Sequence, residues 1–249
     1  MVMMLKNVDI ICPLYNAENY IEPLYKSLLK QKKITINKIR FVLTESTDNT
    51  EKYLIDNNIS YKKIKKSDFS HSLTREKEAL ESDANIVVFI TQDVQIEDEL
   101  WLYNLVKDID GENIVASYSR QLTKYNNLEK YTRESNYPDY DIIKSKDDID
   151  KYGLKTFFFS DAASAISTKV FKELNGYDNK SLPISEDMYI AYKIIMNGYK
   201  IKYCSNSCVY HSHKFTLKQI YDRYKLTGMF FKQNSYLDIH LIWQQDYSV

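Results

Sequence analysis

Three groups of acidic and histidine residues stand where they could bind a cation or move a proton. Asp93 follows the strongest apolar run of the chain, and Glu186 and Asp187 begin a helical segment. His211 and His213 follow a late strand-like segment. Carboxylate oxygens and imidazole nitrogens bind divalent cations, and a carboxylate also serves as a general base. Each group has a structural alternative: a helix cap for Asp93, an interaction with the helix dipole for the acidic pair, and a surface loop for the histidines.

The elements that would position these residues follow from the periodicity of the apolar side chains. Strands are predicted at residues 8–12, 38–43, 61–64 and 85–91, and helices at residues 17–31, around 53–55, 70–82 and around 100–106. Ser46 or Thr47 is the predicted N-terminal cap of the second of these helices, and Ser70 or Ser72 begins the third. This alternation predicts an α/β fold with a mostly parallel sheet and helices on both faces. Ligands of such sheets bind beyond the carboxyl ends of the strands. The segments to inspect are therefore residues 13–16, 44–48, 67–75 and 91–95.

The second half of the chain has a less regular pattern. It predicts a strand at residues 114–120, a long loop at 137–153, a helix at 186–197 that ends at Gly198, a strand at 201–211 and a last helix at 216–233. A glycine after a helix is a suitable C-terminal cap. Because no linker-like stretch separates the halves, we predict one domain over residues 1–213. Residues 214–249 are predicted to form a helical extension packed on it.

Composition excludes several classes of protein. The 249 residues carry 34 Lys+Arg against 34 Asp+Glu, so no global positive field exists to attract nucleic acid. Only 5 glycines are present, and no Gly-x-Gly-x-x-Gly follows the first strand, which argues against a nucleotide-binding oxidoreductase. Three cysteines indicate a reducing compartment rather than a disulfide framework. With no signal peptide and no apolar run of about 20 residues, the sequence predicts a cytoplasmic protein.

The order of several short motifs resembles family-2 glycosyltransferases with a GT-A, or Rossmann-like, fold. These motifs are Pro13-Leu14-Tyr15-Asn16, Ser46-Thr47-Asp48, Gln92-Asp93 and Glu186-Asp187. A second set is similar to the bacterial rhamnosyltransferase branch of that family, and it comprises residues 69–75, 89–93, 119–122, 136–138, 186–188 and 211–213. Each motif is weak alone, whereas six in the same order are specific. The resemblance runs from about residue 8 to residue 228.

The resemblance implies an inverting, metal-dependent transfer of a sugar, L-rhamnose from dTDP-L-rhamnose, onto a hydroxyl of a bacterial surface polysaccharide or lipid-linked glycan. Asp187 is the expected general base, and the dipole of its helix predicts that it stays ionised at neutral pH. Asp93 is the expected ligand of Mn²⁺ or Mg²⁺, and His211 or His213 is a further ligand. Thr91 replaces the first Asp of the family's Asp-x-Asp motif, so the site carries fewer charges than usual.

The remaining site residues are also expected from the resemblance. The donor-binding set is Pro13, Tyr15, Thr44, Glu45, His71, Arg75 and Gln92, and the acceptor-binding set is Glu186 and Arg120. Thr44 stands where relatives carry an acid for the base, which leaves thymine and uracil open. The alternatives to rhamnosyl transfer are the same chemistry with a UDP-hexose donor, or a non-catalytic glycan- or nucleotide-binding module. Retention of the metal ligands and the base argues against that module.

Residues 214–232 interleave aromatic and basic side chains. One interpretation is a helix that lies on the inner face of the plasma membrane, close to a lipid-linked acceptor. The other is a helix that packs its aromatic residues onto the domain or onto a twin subunit in a homodimer. Among the 22 tyrosines, Tyr137, Tyr140 and Tyr152 are candidates for a platform on which a sugar stacks.

Overall fold

The computed structural model describes residues 6–125, 128–212, 215–235 and 237. Within these residues one eight-stranded sheet forms, with strands β1 (Asn7–Leu14), β2 (Thr35–Thr44), β3 (Tyr61–Ile64), β4 (Ile86–Ile90), β5 (Ile114–Leu122), β6 (Ile142–Lys144), β7 (Ala163–Ser167) and β8 (Lys200–Tyr210). The helices are α1 (Ile21–Leu29), α2 (Thr50–Asp56), α3 (His71–Leu80), α4 (Trp101–Val106), α5 (Leu128–Asn136), α6 (Ile149–Tyr152), α7 (Thr168–Glu173), α8 (Glu186–Met196) and α9 (Leu217–Gln233).

The strand order is β3-β2-β1-β4-β7-β5-β8-β6. Neighbours are parallel from β3 through β4, and β5 is parallel to β8. Strand β7 is antiparallel to both β4 and β5, and β6 is antiparallel to β8. The predicted mostly parallel α/β sheet is therefore confirmed, with two antiparallel strands added to it.

Strand β4 shows why the sheet has two hydrophobic cores. All five of its residues are buried. Val88 and Ile90 pack into one core with side chains of α1 and α4, whereas Val87 and Phe89 pack into the other with side chains of α7 and α8. Successive side chains of a strand point to opposite faces, so a strand covered on both sides is apolar throughout. This is the run that the sequence displays most clearly.

The predicted loop at residues 137–153 is wrong, because β6 and α6 lie within it. Strand β6 has only three residues and lies at the edge of the sheet, where too few residues exist to show a period of two. Helices α5 and α7 and strand β7 are also absent from the prediction. Strand β7 is built from Ala, Ser and Ile and is buried at every position, so neither its size nor its alternation marks it.

Predicted helix ends agree with the structure at two of three positions. The Ser70 hydroxyl caps α3 by accepting a bond from the Leu73 amide, and Gly198 follows α8 with a φ of +86°. The expected cap of α2 by Ser46 or Thr47 is wrong. There the Asp48 carboxylate accepts the Thr50 amide, and Asn49 precedes the helix.

Helix α9 attaches to the rest of the protein mainly through its last turns. Phe230 and Leu237 are buried in the same core as α8, while Tyr221 and Tyr224 are 69% and 75% exposed. In the described part of the chain, no helix has the length and apolar character that crossing a bilayer requires. All three cysteines are free thiols.

Candidate active site

A cleft of about 790 Å³ opens beyond the carboxyl ends of β1 and β4. Its lining includes residues 13–15, 91–93, 160–162 and 183–187, together with His71, Arg75, His211, Phe215 and Arg223. Most of the residues singled out for chemistry in the sequence therefore meet in one place. They come from chain segments that are far apart, which the strand-end rule for α/β sheets anticipates.

Asp93 and His211 face each other in this cleft. The His211 Nε2 atom lies 3.5 Å from the Asp93 Oδ1 atom, and His211 is buried while Asp93 is half-buried. On the other side of the ring, His211 Nδ1 lies 2.9 Å from Gln121 Oε1. Gln121 in turn donates to the Ser160 hydroxyl at 2.7 Å and accepts from Arg133. In the neutral tautomer whose Nδ1 donates to the Gln121 oxygen, the Nε2 lone pair is on the side of Asp93.

This pair suits a divalent cation. An imidazole nitrogen whose opposite side is fixed by a second residue, next to a carboxylate oxygen, is a common pair of metal ligands. No group of three His, Cys, Asp or Glu side chains with metal-binding geometry occurs among the residues that the structure describes. Phosphate oxygens of a substrate and water are further ligands that Mg²⁺ often uses. His213 lies outside the described residues.

Asp187 stands in the first turn of α8, where its Oδ1 atom accepts the Met188 amide at 2.8 Å. Burial, followed by the negative charges of Glu186 and Asp161, raises the pKa of Asp187 well above its ordinary value. The helix dipole, which is expected to favour the ionised form of Asp187, is therefore opposed by burial and by two neighbouring carboxylates. Loss of hydration and two nearby carboxylates outweigh a dipole effect of about 0.3–1 kcal/mol. A raised pKa makes the carboxylate a stronger base.

Arg75 lines the cleft and is 3% exposed. One terminal nitrogen donates to the His71 carbonyl at 2.8 Å and lies 3.4 Å from Glu186 Oε1. The Arg75 Nε atom is buried, with no hydrogen-bond partner among the described residues. Glu186, which is expected to bind the acceptor, also lines the cleft and places its carboxylate against Arg75. That ion pair neutralises part of the buried charge.

His71 is the first residue of α3 and lines the same cleft. Its ring is in edge contact with Phe69, with 5.0 Å between the ring centroids. Burial of the ring, followed by the positive charges of Arg75 and Arg223, lowers the pKa of His71 to about 4. His71 is therefore neutral near pH 7 and can offer a hydrogen bond without a charge.

Gln92 and Tyr15 form a bridge between the ends of β1 and β4. The Gln92 side chain accepts the Tyr15 amide at 2.8 Å and donates to the Tyr15 carbonyl at 3.0 Å. Gln92 was expected to touch the donor directly, but its amide group is used to hold the loop after Pro13. The Tyr15 ring is 41% exposed, and the Lys66 amine lies 5.1 Å from its centroid.

Thr44 and Glu45 lie at the end of β2, outside the lining of the main cleft. Thr44 is 3% exposed, and its hydroxyl has no hydrogen-bond partner within the described residues. The exposed Glu45 accepts the Lys66 amide at 3.3 Å. The expected donor-binding residues therefore divide into a group inside the cleft and this pair at the neighbouring strand end.

Arg120 and the tyrosines predicted to stack a sugar do not line the cleft. Arg120 on β5 is absent from the cleft lining, so this structure does not bring it to the other acceptor-binding residue. Tyr137 is 5% exposed and packs edge-on against Tyr118 inside an aromatic cluster, whereas Tyr140 is 63% exposed. Tyr137 is therefore a packing residue, and the platform stays a prediction for Tyr140 and Tyr152. In strands and turns near an aromatic core, tyrosine serves largely as a packing residue.

Several cleft residues were absent from the predictions. Ser160 and Asp161 stand just before β7, and Phe215 and Arg223 come from the chain around α9. The signal for Asp161 is an acid directly before an apolar segment, whereas Asp93 directly follows one. That signal points to a site only when β7 is recognised as a strand antiparallel to its neighbours.

A mixed sheet with an acidic cleft at the ends of its central parallel strands is the architecture of GT-A glycosyltransferases. Solved structures support this fold. S. aureus TarS residues 1–349 align at a TM-score of 0.61 with 20% identity, covering 83% of this chain and 60% of that one. The mannosyltransferase PcManGT from Pyrobaculum calidifontis, solved with GDP-Man and Mn²⁺, aligns at 0.59 with 14% identity, covering 84% and 57%.

The chain belongs to glycosyl transferase family 2, whose family model matches residues 9–175. It is 36% identical to the O-antigen chain rhamnosyltransferase RfbN of Salmonella typhimurium over 90% of this chain and 72% of that protein. It is also 36% identical to the O-antigen chain rhamnosyltransferase WbaN of Salmonella anatum, over 78% of this chain and 62% of that protein. The chain is therefore a glycosyltransferase, and the non-catalytic binding module is set aside.

Proposed function

We propose that this glycosyltransferase moves L-rhamnose from dTDP-L-rhamnose onto a hydroxyl group of an O-antigen or related lipid-linked glycan. The observation that carries the proposal is the cleft that holds both the Asp93–His211 pair and Asp187. Such a cleft offers a cation site for a diphosphate leaving group and a base for an acceptor hydroxyl. The names of the two Salmonella relatives supply the sugar and the glycan.

In the proposed reaction, Asp187 accepts the proton of the acceptor hydroxyl as its oxygen attacks the anomeric carbon. The bond from that carbon to the phosphate oxygen breaks, and its electron pair leaves with the nucleoside diphosphate. One displacement without a covalent intermediate inverts the anomeric centre. Met188 fixes one oxygen of Asp187 through its amide, which orients the base toward the cleft.

Asp93 and His211 are the residues that would hold Mn²⁺ or Mg²⁺. A divalent cation bound there supplies positive charge that stabilises the departing diphosphate. Gln121 keeps the His211 ring in place through Nδ1, and Arg133 and Ser160 keep Gln121 in place. Supporting bonds of this kind determine the direction of a ligand's lone pair.

The donor would enter between α3 and the loop after β1. Tyr15 and Lys66 present a ring and a cation at the mouth of this region, and Arg75 and His71 line its wall. The guanidinium group of Arg75 has several N–H donors that suit phosphate oxygens, and Glu186 neutralises part of its charge. The buried hydroxyl of Thr44 is the candidate contact for the nucleotide base.

Donor identity is tested by thermal shift with dTDP-L-rhamnose, UDP-glucose, UDP-galactose and GDP-mannose, each with and without Mn²⁺. We expect dTDP-L-rhamnose with Mn²⁺ to raise the Tm most, because a ligand at 100 times its Kd stabilises the folded state by about 2.7 kcal/mol. A shift produced by UDP-hexoses and not by dTDP-L-rhamnose would favour the second candidate, a UDP-hexose transferase.

The predicted extension at residues 214–249 is described only at 215–235 and 237, and we propose further that its helix α9 contacts the inner face of the membrane. Within it, Leu217, Tyr221 and Tyr224 are exposed along one stripe of α9, with Lys218 and Lys225 beside them. Apolar rings flanked by lysines suit an anionic lipid surface. The exposure of these rings argues against the alternative in which they pack onto the domain, while a twin subunit remains the competing occupant.

We expect the protein to float with vesicles that contain anionic lipid at low salt, and to be released at high salt because charge is screened. The double variant Lys218→Gln with Lys225→Gln should lose most of this binding. The matched control changes Lys30, at the end of α1, and Lys52, on α2, to Gln. It lowers the net charge by the same amount as the double variant, but outside α9. Equal flotation of both variants, or dimers that persist without lipid, would contradict the membrane assignment.

A further inference from the structure

Asp161 is a buried carboxylate that the proposed reaction leaves without a role. It lines the cleft with Arg75 and Asp187 but is only 2% exposed. Its Oδ1 atom accepts the Ser164 hydroxyl at 2.8 Å, and its Oδ2 atom accepts the Tyr177 hydroxyl at 2.7 Å. Both oxygens are thus fixed by neutral donors. Burying an ionised carboxylate costs free energy unless hydrogen bonds and an opposite charge compensate for its lost hydration.

The partner of Asp161 is itself held tightly. Tyr177 is fully buried, and its amide donates to Glu76 Oε1 at 2.6 Å. The turn around it contains Gly176 at a φ of +45°, where an added Cβ would lie 2.8 Å from the same Glu76 oxygen. Glu76 follows Arg75 directly on α3. The helix that places Arg75 in the cleft therefore also places the tyrosine that anchors Asp161.

The ionisable groups around Asp187 come from four chain segments. Asp161 precedes β7, Glu186 precedes Asp187 on α8, Arg75 lies on α3, and Tyr137 follows α5. Three carboxylates share one guanidinium, so the cluster is rich in negative charge. Burial, together with Glu186 and against the effect of Arg75, raises the pKa of Asp161 to about 6. Like charges that are close together disfavour ionisation of both carboxyls.

We propose that Asp161 is a positioning residue for sugar transfer: its carboxyl group, held by Ser164 and Tyr177, sets the proton affinity of Asp187 and helps hold Arg75 in the cleft. This inference rests on the proposed role of Asp187 as base. Asp161 does not accept the acceptor proton itself, because its two oxygens point to Ser164 and Tyr177 and almost none of it is exposed. Its neighbours orient it, and its charge acts on the base.

The test compares the wild type with Asp161→Asn and Tyr177→Phe. In Asp161→Asn the acidic limb of kcat/KM should move to lower pH by about 1 unit or more, because a like charge near Asp187 is removed. Tyr177→Phe should move it in the same direction by less, because Asp161 remains but loses a bond that favours its charged form. The same shifts should appear when the Asp187 carboxyl is titrated by ¹³C NMR in the free enzyme.

A uniform loss of kcat/KM at every pH, with an unmoved limb and an unmoved Asp187 titration, would show that Asp161 is merely structural. If Asp161→Asn does not fold, Tyr177→Phe carries the same test, since it keeps the ring and the fold contacts. The NMR titration is independent of activity. An active Asp187→Asn enzyme would remove the base assignment, while the titration would still report whether Asp161 acts on Asp187.

Discussion

Asp187→Asn is expected to lower kcat for sugar transfer by about 1,000-fold, within the range that a general base contributes. Asparagine keeps the shape of the side chain and can still accept the Met188 amide through its oxygen. It cannot accept the acceptor proton. Binding of the nucleotide-sugar should change little, because the proposed donor contacts lie on α3 and the ends of β1 and β2. Turnover and donor affinity are measured separately, by product formation and by calorimetry.

The pH profile gives this prediction a second readout. Asp187 acts only when deprotonated, so kcat/KM falls as pH falls through its pKa. Since that pKa is raised, the fall should occur at higher pH than the value of about 4 for an ordinary aspartate. Asp56→Asn, an exposed residue at the end of α2, is the matched control and should keep the full profile. Near-normal turnover of Asp187→Asn would refute the assignment of the base.

Asp93→Asn is expected to reduce transfer by about 100-fold at limiting Mn²⁺, and added Mn²⁺ should restore part of the loss. The physical reason is that an amide oxygen carries no charge, so His211 would remain as the one strong protein ligand of the proposed pair. The wild-type enzyme should lose activity in EDTA and regain it with Mn²⁺ or Mg²⁺. The measurement is initial rate against metal concentration.

Asp56→Asn serves again as the control, because it makes the same chemical change far from the cleft in sequence and in fold. Its metal dependence should overlay that of the wild type. If EDTA-treated wild type keeps its full rate, or if Asp93→Asn loses activity without any change in its metal dependence, then the Asp93–His211 pair is not a metal site. Its 3.5 Å contact would then be an ion pair that becomes strong only when His211 is protonated.

The parts of the fold that were predictable are those whose local pattern agrees with their final surroundings. Strand β4 is apolar throughout because both faces of the sheet are covered, and α8 combines a buried stripe with a terminal glycine. Strand β7 carries small residues and is inserted between strands that are distant in sequence. Its position depends on long-range pairing, which no local pattern reports.

The site divides in the same way. Asp93 and His211 were predictable as neighbours because each follows a strand at one edge of the sheet. The pairing of Arg75 with Glu186 joins residues 111 positions apart, and it makes Glu186, a predicted acceptor contact, a counter-charge to Arg75 as well. The raised pKa of Asp187 also depends on packed neighbours rather than on its place in a helix. Residue type alone could suggest a base, but only its surroundings determine when it is charged.

The reversed direction of β7 has a consequence for how such enzymes are built. Ile90, at the end of β4, pairs with Ala163, at the beginning of β7, and the Thr91 amide donates to the Ala162 carbonyl at 3.2 Å. The parallel strands bring the residues that follow them to this edge of the sheet. Because β7 runs in the opposite direction, the residues that precede it lie at the same edge. In this chain the two strand directions together place Asp161 and Asp93 in one cleft. In a mixed sheet, residues that precede one strand and residues that follow another can therefore line the same site.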